Sequence, residues 1–347
     1  MPATTPPTCA RSLALSKRLP YRVSRQRQAG FSLPEVMVAL TVITIISLFV
    51  IGALSPWLGL KQSIDNDRRL EDIRQGLVAL YERQAMEAET NPGGRFFDFV
   101  TSSVDANRQC EPQLEAFAGL RSLISDAGAQ AAKDGFSNAW CVFVSNNLSQ
   151  DRDGTTLHYR TIAVVSTGRD GKLDEGTQMD NQGNMQFRGD DIGFVVNGYD
   201  IQYAKLRETL RRMSRVGNIY ETYFSTRYMS YADRDITRYY FSRGPAGEPG
   251  YDNAGVVPST ASQWGPAATV LKEIGVSPDD AFTAWETTNG VKNAIEVGNY
   301  NESQNLVTAR TPFSTGTGTL PYTALLRARI PSPTGELFVT RVVVGNY

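Results

Sequence analysis

Between Val36 and Leu60 the chain reads VMVALTVITIISLFVIGALSPWLGL, 25 positions without a charge. As an α-helix this run is about 37 Å long, against a bilayer hydrocarbon core of about 30 Å. At Lys61 the pattern changes. Ile64, Leu70, Ile73, Leu77, Leu80, Tyr81 and Met86 now recur mainly at steps of three and four, which gives one apolar stripe on a helix. Asn91-Pro92-Gly93-Gly94 is a helix stop. The two patterns predict one helix from Phe31 to about Glu89, roughly 88 Å long by the helical rise. Gly52 and Pro56 are the candidate kinks.

The remaining chain predicts a head of mixed elements. Residues 112–133 read as a second helix with Leu114, Phe117, Leu120, Leu123 and Ile124 inward. Trp140–Ser145 and Leu157–Ser166 are rich in aromatic and β-branched residues and read as strands. Asp151-Arg152-Asp153-Gly154 lies between them as a hairpin turn; the later glutamate that a calcium-binding EF-hand requires is missing. Asp200–Met229 reads as a helix with Tyr203, Leu206, Leu210, Met213 and Tyr220 on one face. Its Arg207, Arg211, Arg212 and Arg215 form a basic ridge, read as a solvated face rather than a contact for an anionic surface. Residues 243–266 are a Gly/Pro/Ser/Ala-rich linker. A short helix over Ala281–Thr287 and strands at Asn293–Val297, Thr323–Ile330 and Glu336–Gly345 complete the reading. The expected class is α+β: a long N-terminal helix packed on a globular head with an antiparallel sheet.

Charge sharpens this picture. The 347 residues carry 35 Lys+Arg and 36 Asp+Glu, a net charge of −1 that argues against a nucleic-acid binder. The balance is uneven along the chain. Arg11, Lys17, Arg18, Arg22, Arg25 and Arg27 precede the apolar run, with no acid among residues 1–30. A basic head before an apolar span places the N-terminus in the cytoplasm and the body outside. A secretory signal peptide or a plain signal anchor would account for that much. Cleavage after the run finds only weak sites near Val50 and Gly52. Neither explanation accounts for Glu35, a carboxylate at the start of the apolar run, where acids are costly and usually functional.

The string Gly30-Phe31-Ser32-Leu33-Pro34-Glu35-Val36, with its basic leader and apolar run, resembles the class III signal of type IV prepilins and type II secretion pseudopilins. This leader is longer than the common ones, and Pro34 stands where an aliphatic residue is usual; proline is tolerated in a first helical turn. The resemblance implies that prepilin peptidase cuts between Gly30 and Phe31 and methylates the new Phe31 amine. Glu35 would then neutralise the Phe31 amine of a neighbouring subunit and set axial register, as a buried polar residue does in a coiled coil. It also implies a filament core built from the first half of the long helix.

With Cys9 removed in the leader, Cys110 and Cys141 remain. An even pair in an exported domain suggests a disulfide; two buried thiols are the alternative. Val165-Ser166-Thr167-Gly168-Arg169-Asp170-Gly171, closed by Gly189-Asp190-Asp191-Ile192, resembles the calcium loop of major pseudopilins. Asp134-Gly135-Phe136-Ser137-Asn138-Ala139-Trp140 is similar to a second stretch of that family. Asp170, Asp174, Asp190 and Asp191 would supply side-chain oxygens to calcium, with a solvated acidic loop as the alternative. The insert Gly176–Arg188 makes this loop longer than the family's.

The expected organisation is a cleaved leader 1–30, a helix 31–90 with its membrane segment 36–60, a pilin-like head 91–200 and an additional region 201–347. The sequence holds no GxSxG, Walker loop, zinc spacing or His/Cys pair, and its single histidine, His158, lies in a predicted strand. A structural subunit is therefore expected rather than an enzyme. The size of the head suggests a minor or tip pilin of a type IV pilus or pilus-like filament. A type II secretion pseudopilin is the alternative, and a membrane-anchored adhesin or enzyme using the same signal a further one. The partners implied are prepilin peptidase, other pilin or pseudopilin subunits, the inner-membrane assembly platform and the membrane, with no specific nucleic acid. No cofactor is required beyond a structural calcium. The protein would sit in the bacterial inner membrane with its N-terminus cytoplasmic, then in a periplasmic or extracellular filament.

Overall fold

A computed structural model describes residues 32–90, 101–111, 133–236, 240–241, 265–266, 276–286, 290, 292–299, 323–334, 336–345 and 347. The leader, the cut at Gly30 and Phe31, the stop at residues 91–94, the predicted helix at 112–132 and nearly all of the 243–266 linker lie outside them. The chain divides into two units, Met1–Leu58 and Gly59–Tyr347.

Helix α1 runs from Leu33 to Thr90 and is continuous through Gly52 and Pro56. Its one departure from helical geometry is Gln84, with φ −112° and ψ 17°. In the first unit the helix is apolar and exposed, with Leu33 at 79% and Phe49 at 76% of full exposure. In the second unit most of the stripe expected from the sequence is buried: Leu70, Ile73, Leu77, Leu80, Tyr81 and Met86 enter the main core, whereas Ile64 is exposed.

That core is closed by an antiparallel sheet in the order β1 (Cys141–Val144), β4 (Thr161–Ser166), β7 (Ile192–Asn197). The central strand β4 is buried at every position. Ile162 and Val164 face the main core with Trp140, Val142 and Val196. Ala163 and Val165 face a smaller cluster with Phe143, Leu173, Cys110 and Cys141. A strand covered on both faces reads as a continuous apolar run, as Thr161–Ser166 does. In the smaller cluster Cys110 and Cys141 form a disulfide with a Cα–Cα distance of 5.4 Å, which ties the turn at 101–111 to β1. Closing a loop with a sequence separation of 31 stabilises by about 3–4 kcal/mol in a chain-entropy treatment.

The predicted strand Leu157–Ser166 is two strands. β3 (Thr155–Tyr159) pairs with β2 (Leu148–Arg152), and β4 pairs with β1 and β7. They part at Arg160. Its N–H donates to Tyr81 Oη at 3.2 Å, and its carbonyl accepts from Gly198 N at 2.9 Å. The β2–β3 turn is tighter than Asp151–Gly154: only Asp153 and Gly154 turn, both at positive φ, as a two-residue hairpin loop requires.

Helix α2 (Gly198–Ser230) is capped by Asn197, whose side chain accepts from Tyr199 N. It buries Leu206, Met213, Val216, Tyr220 and Phe224 at helical spacing. A second antiparallel sheet follows in the order β12 (Leu337–Val344), β11 (Thr323–Ile330), β10 (Lys292–Asn299), β8 (Gly265–Pro266), with β9 (Phe282–Glu286) also on β10. The predicted helix over Ala281–Thr287 is overturned. Pro278–Ala281 is a single 3₁₀ turn, and Phe282–Glu286 is a strand that buries Thr283 and Trp285 in alternation. Period-two burial of a tryptophan outweighs the helix-start signal of Pro278-Asp279-Asp280.

Buried polar groups join these layers. Gln202 donates to the Ala85 carbonyl and accepts from Trp285 Nε1, both at 2.7 Å, linking α1, α2 and β9. Glu89, fully buried, accepts from Tyr81 Oη and from Asn147 Nδ2, both at 2.6 Å, with Arg160 Nε 3.7 Å away. His158 Nδ1 lies 3.0 Å from Asn147 Oδ1, and burial lowers the histidine's pKa. Burial pushes Glu89 above its ordinary value, against the pull of Tyr81, Arg160 and Asn147. A carboxyl raised in this way holds its proton more tightly in the folded chain than in the unfolded one. Stability then falls as pH rises above the ordinary value of 4.5 and levels off above the folded value. Glu89→Gln is expected to remove that component of a urea-denaturation pH profile. It should also cost about 1–3 kcal/mol, because the new amide nitrogen faces a donor.

Candidate functional site

Two places carry the residues singled out by the sequence: the start of α1 and the aspartate loop after β4. At the first, Ser32 stands just before the helix and Leu33-Pro34-Glu35 form its first turn. Ser32 N and Ser32 Oγ both donate to Glu35 Oε2 at 3.0 Å. Glu35 N and Val36 N donate to the Ser32 carbonyl at 2.9 and 3.2 Å. This is one half of a capping box, in which the third helical residue closes back on the cap. A negative charge there also meets the positive end of the helix dipole. Glu35 Oε1 makes no hydrogen bond among the described residues. The local role of Glu35 was legible as Ser-x-x-Glu before an apolar run, a signal overshadowed by the prepilin-type string.

The aspartate loop is held by its own carboxylates. Asp174 Oδ2 accepts from Asp190 N at 3.0 Å, and Asp191 Oδ2 accepts from Asp174 N at 2.7 Å. Asp190 Oδ2 accepts from Arg169 N at 3.1 Å. These bonds draw the two ends of the loop together around the insert. Asp170 is spent in its own turn, accepting from Lys172 N at 2.8 Å. Gly168 and Gly189 have φ of +62° and +55°, and a Cβ on either would run into the carboxylate of Asp190 or Asp174. The loop is tied to the disulfide turn by Leu173 N, which donates to the Arg108 carbonyl at 2.8 Å.

Calcium asks for six to eight oxygens. Among the described residues no three His, Cys, Asp or Glu side chains are grouped to hold a metal ion. One atom fits such a role: Asp191 Oδ1 is buried without a hydrogen-bond partner, on a residue only 4% exposed. Burial raises its pKa, and the charges of Asp174 and Asp190 add to the rise, against hydrogen bonding from the Thr177 side chain and from Asp174 N, so Thr177 competes with any cation for this carboxylate.

The stretch at Asp134 fixes this region to α1. Asp134 Oδ1 accepts from Phe136 N and Asn138 N, and Oδ2 from Ser166 Oγ. Asn66 Oδ1 accepts from Gly135 N at 3.0 Å, and Arg69 donates to the carbonyls of Lys133 and Asp134. A Cβ at Gly135 would collide with the Gln62 carbonyl, which explains glycine there.

Of the four arginines of α2, Arg207 and Arg211 lie on an exposed face, as expected, whereas Arg212 and Arg215 tie the helix to the segment at 279–283. Arg211 and Arg212 both pair with Glu208, and Arg215 pairs with Asp280. Arg212 also donates to the carbonyls of Asp279, Phe282 and Thr283. Arg207 lies 6.0 Å from the Tyr203 ring centroid.

Residues 25–51 match the prokaryotic N-terminal methylation motif, the class III signal of type IV pilins and pseudopilins. The match brackets Gly30, Phe31, Ser32 and Glu35. No curated protein and no solved structure matches the chain. The motif supports a type IV pilin-like or pseudopilin protein and points to a structural role. It implies processing by prepilin peptidase and assembly with other pilin subunits. With the apolar helix that follows, it indicates membrane anchoring.

Proposed function

We propose that this chain is a minor or tip-type subunit of a type IV pilus or pilus-like filament, cut between Gly30 and Phe31, methylated at Phe31 and assembled through α1. The observation that carries the reading is the methylation motif at residues 25–51, running into an apolar helix face left exposed from Leu33 to Phe49. A large head with two sheets around α2 favours a minor position, where a subunit is not packed at every step of the filament. A type II secretion pseudopilin is the second reading, favoured by the aspartate loop. The inner membrane, with the N-terminus cytoplasmic, is the holding place before assembly, and an assembly platform the partner that extracts the subunit. An adhesive role of the head is compatible with the first reading.

Glu35 has two separable tasks. Its Oε2 closes the helix start, and its Oε1 is open to the Phe31 amine of a neighbour. A glutamine keeps the cap and loses the charge. Glu35→Gln and Glu35→Ala should both be processed normally and both enter filaments poorly, measured by immunoblot of sheared filaments. Normal incorporation of Glu35→Gln would assign the residue to capping alone. Mass spectrometry of the mature protein should find an N-methylated Phe31 at its N-terminus; any other start removes the filament reading.

We further propose that calcium binds at Asp191 and draws in Asp174 and Asp190, which do not surround one point without it, with Asp170 as an outer contributor. The support is the unpartnered oxygen of Asp191 and the resemblance of the loop. Calcium should raise the melting midpoint of the protein and a chelator should lower it; an unchanged midpoint excludes the site.

A further inference from the structure

The aspartate loop reaches α1 at one residue. Gly59 is buried within its helix because the Arg169 side chain lies across it. A Cβ built on Gly59 would fall on the guanidinium, 2.7 Å from its Cζ. Among the described residues no carboxylate pairs with this guanidinium. Asp190 takes the backbone N–H of Arg169, and Asp170 takes that of Lys172. Arg169 is exposed, and so is Lys61, two residues beyond Gly59 in the chain.

Where Gly59 stands in the sequence gives this contact its meaning. An α-helix crosses about 30 Å of hydrocarbon in about 20 residues. Counted from Val36, the uncharged run is through the core near Ser55 and continues to Leu60. Trp57 falls in that overhang and is 58% exposed, the residue type that favours the headgroup level. Gly59 and Lys61 belong to the same level. A guanidinium with fixed planar donors recognises phosphate oxygens well. A basic residue near an anionic leaflet is worth about a factor of five in binding.

We propose that Arg169, seated on Gly59, binds anionic phospholipid headgroups on the outer face of the membrane while the subunit awaits assembly. Gly59 is the positioning residue: with no side chain, it lets a head loop lie against the helix where the bilayer ends. The proposal rests on the reading that residues 36–60 span the membrane.

The test uses the full chain in head-out proteoliposomes of phosphatidylcholine, with and without phosphatidylglycerol, followed by amide hydrogen exchange over residues 167–172. Exchange should slow by about fivefold in the anionic vesicles. R169Q should abolish the difference, and Gly59→Ala should weaken it by displacing the guanidinium. R188Q, at the other end of the loop, should keep it. An unchanged melting midpoint shows that each variant is folded. Equal exchange in both vesicle types, or a difference that survives R169Q or is lost in R188Q, overturns the contact. Protection by inorganic phosphate alone, in detergent, would make this a free-anion site and overturn the membrane assignment. Flotation separates the premises: a protein that floats with vesicles yet shows no difference refutes only the headgroup contact, and one that does not float refutes the span.

Discussion

Leu33, Met37, Val38, Leu40, Ile43, Leu48 and Phe49 project from the first part of α1 without a core to enter. Burying such a side chain is worth about 1.5–3 kcal/mol, so a helix presenting so many of them to water would not stay dispersed. Lipid or like helices must cover them. The same helix beyond Lys61 has only a stripe to bury and does so against its own sheet. One continuous element thus serves two solvents, and the change falls where the uncharged run ends.

The sequence patterns that were legible share a trait: their side chains face one environment over many residues. The uncharged span, the stripe from Leu70 to Met86, the α2 face and the final hairpin are of this kind. Thr323–Ile330 pairs along its whole length with Leu337–Val344, close to the ranges expected. What was not legible depends on single contacts between distant positions. Nothing local to Leu157–Ser166 announces that Arg160 gives its backbone to Tyr81 and Gly198. At strand β7 the local signals conflict: Asp190-Asp191 before it favour a loop, while Phe194, Val195 and Val196 favour a strand. Nothing in the helical pattern around Gln202 marks it out, yet it is buried between Ala85 and Trp285.

The arrangement at the candidate site was not legible. Sequence picked out Glu35 and four loop aspartates. The structure shows Glu35 bonded to Ser32, and shows Asp170 working apart from Asp174, Asp190 and Asp191. Short carboxylates near glycines of positive φ are suited to binding backbone N–H groups, so their first service is to the loop itself. A buried polar network is stable only when its members are satisfied. Glu89 meets that condition through Tyr81 and Asn147, whereas Asp191 leaves one oxygen over.

The Cys110–Cys141 bond gives the molecule a sense of timing. Thiols stay reduced in the cytosol and are oxidised in compartments outside it. On the proposed export route the turn at 101–111 is not stapled to β1 before translocation, and the head lacks a share of its cohesion. A looser polypeptide is easier to thread through a narrow translocation pore. On that route, oxidation on arrival would work as a latch that favours the finished head on the far side and discourages backsliding.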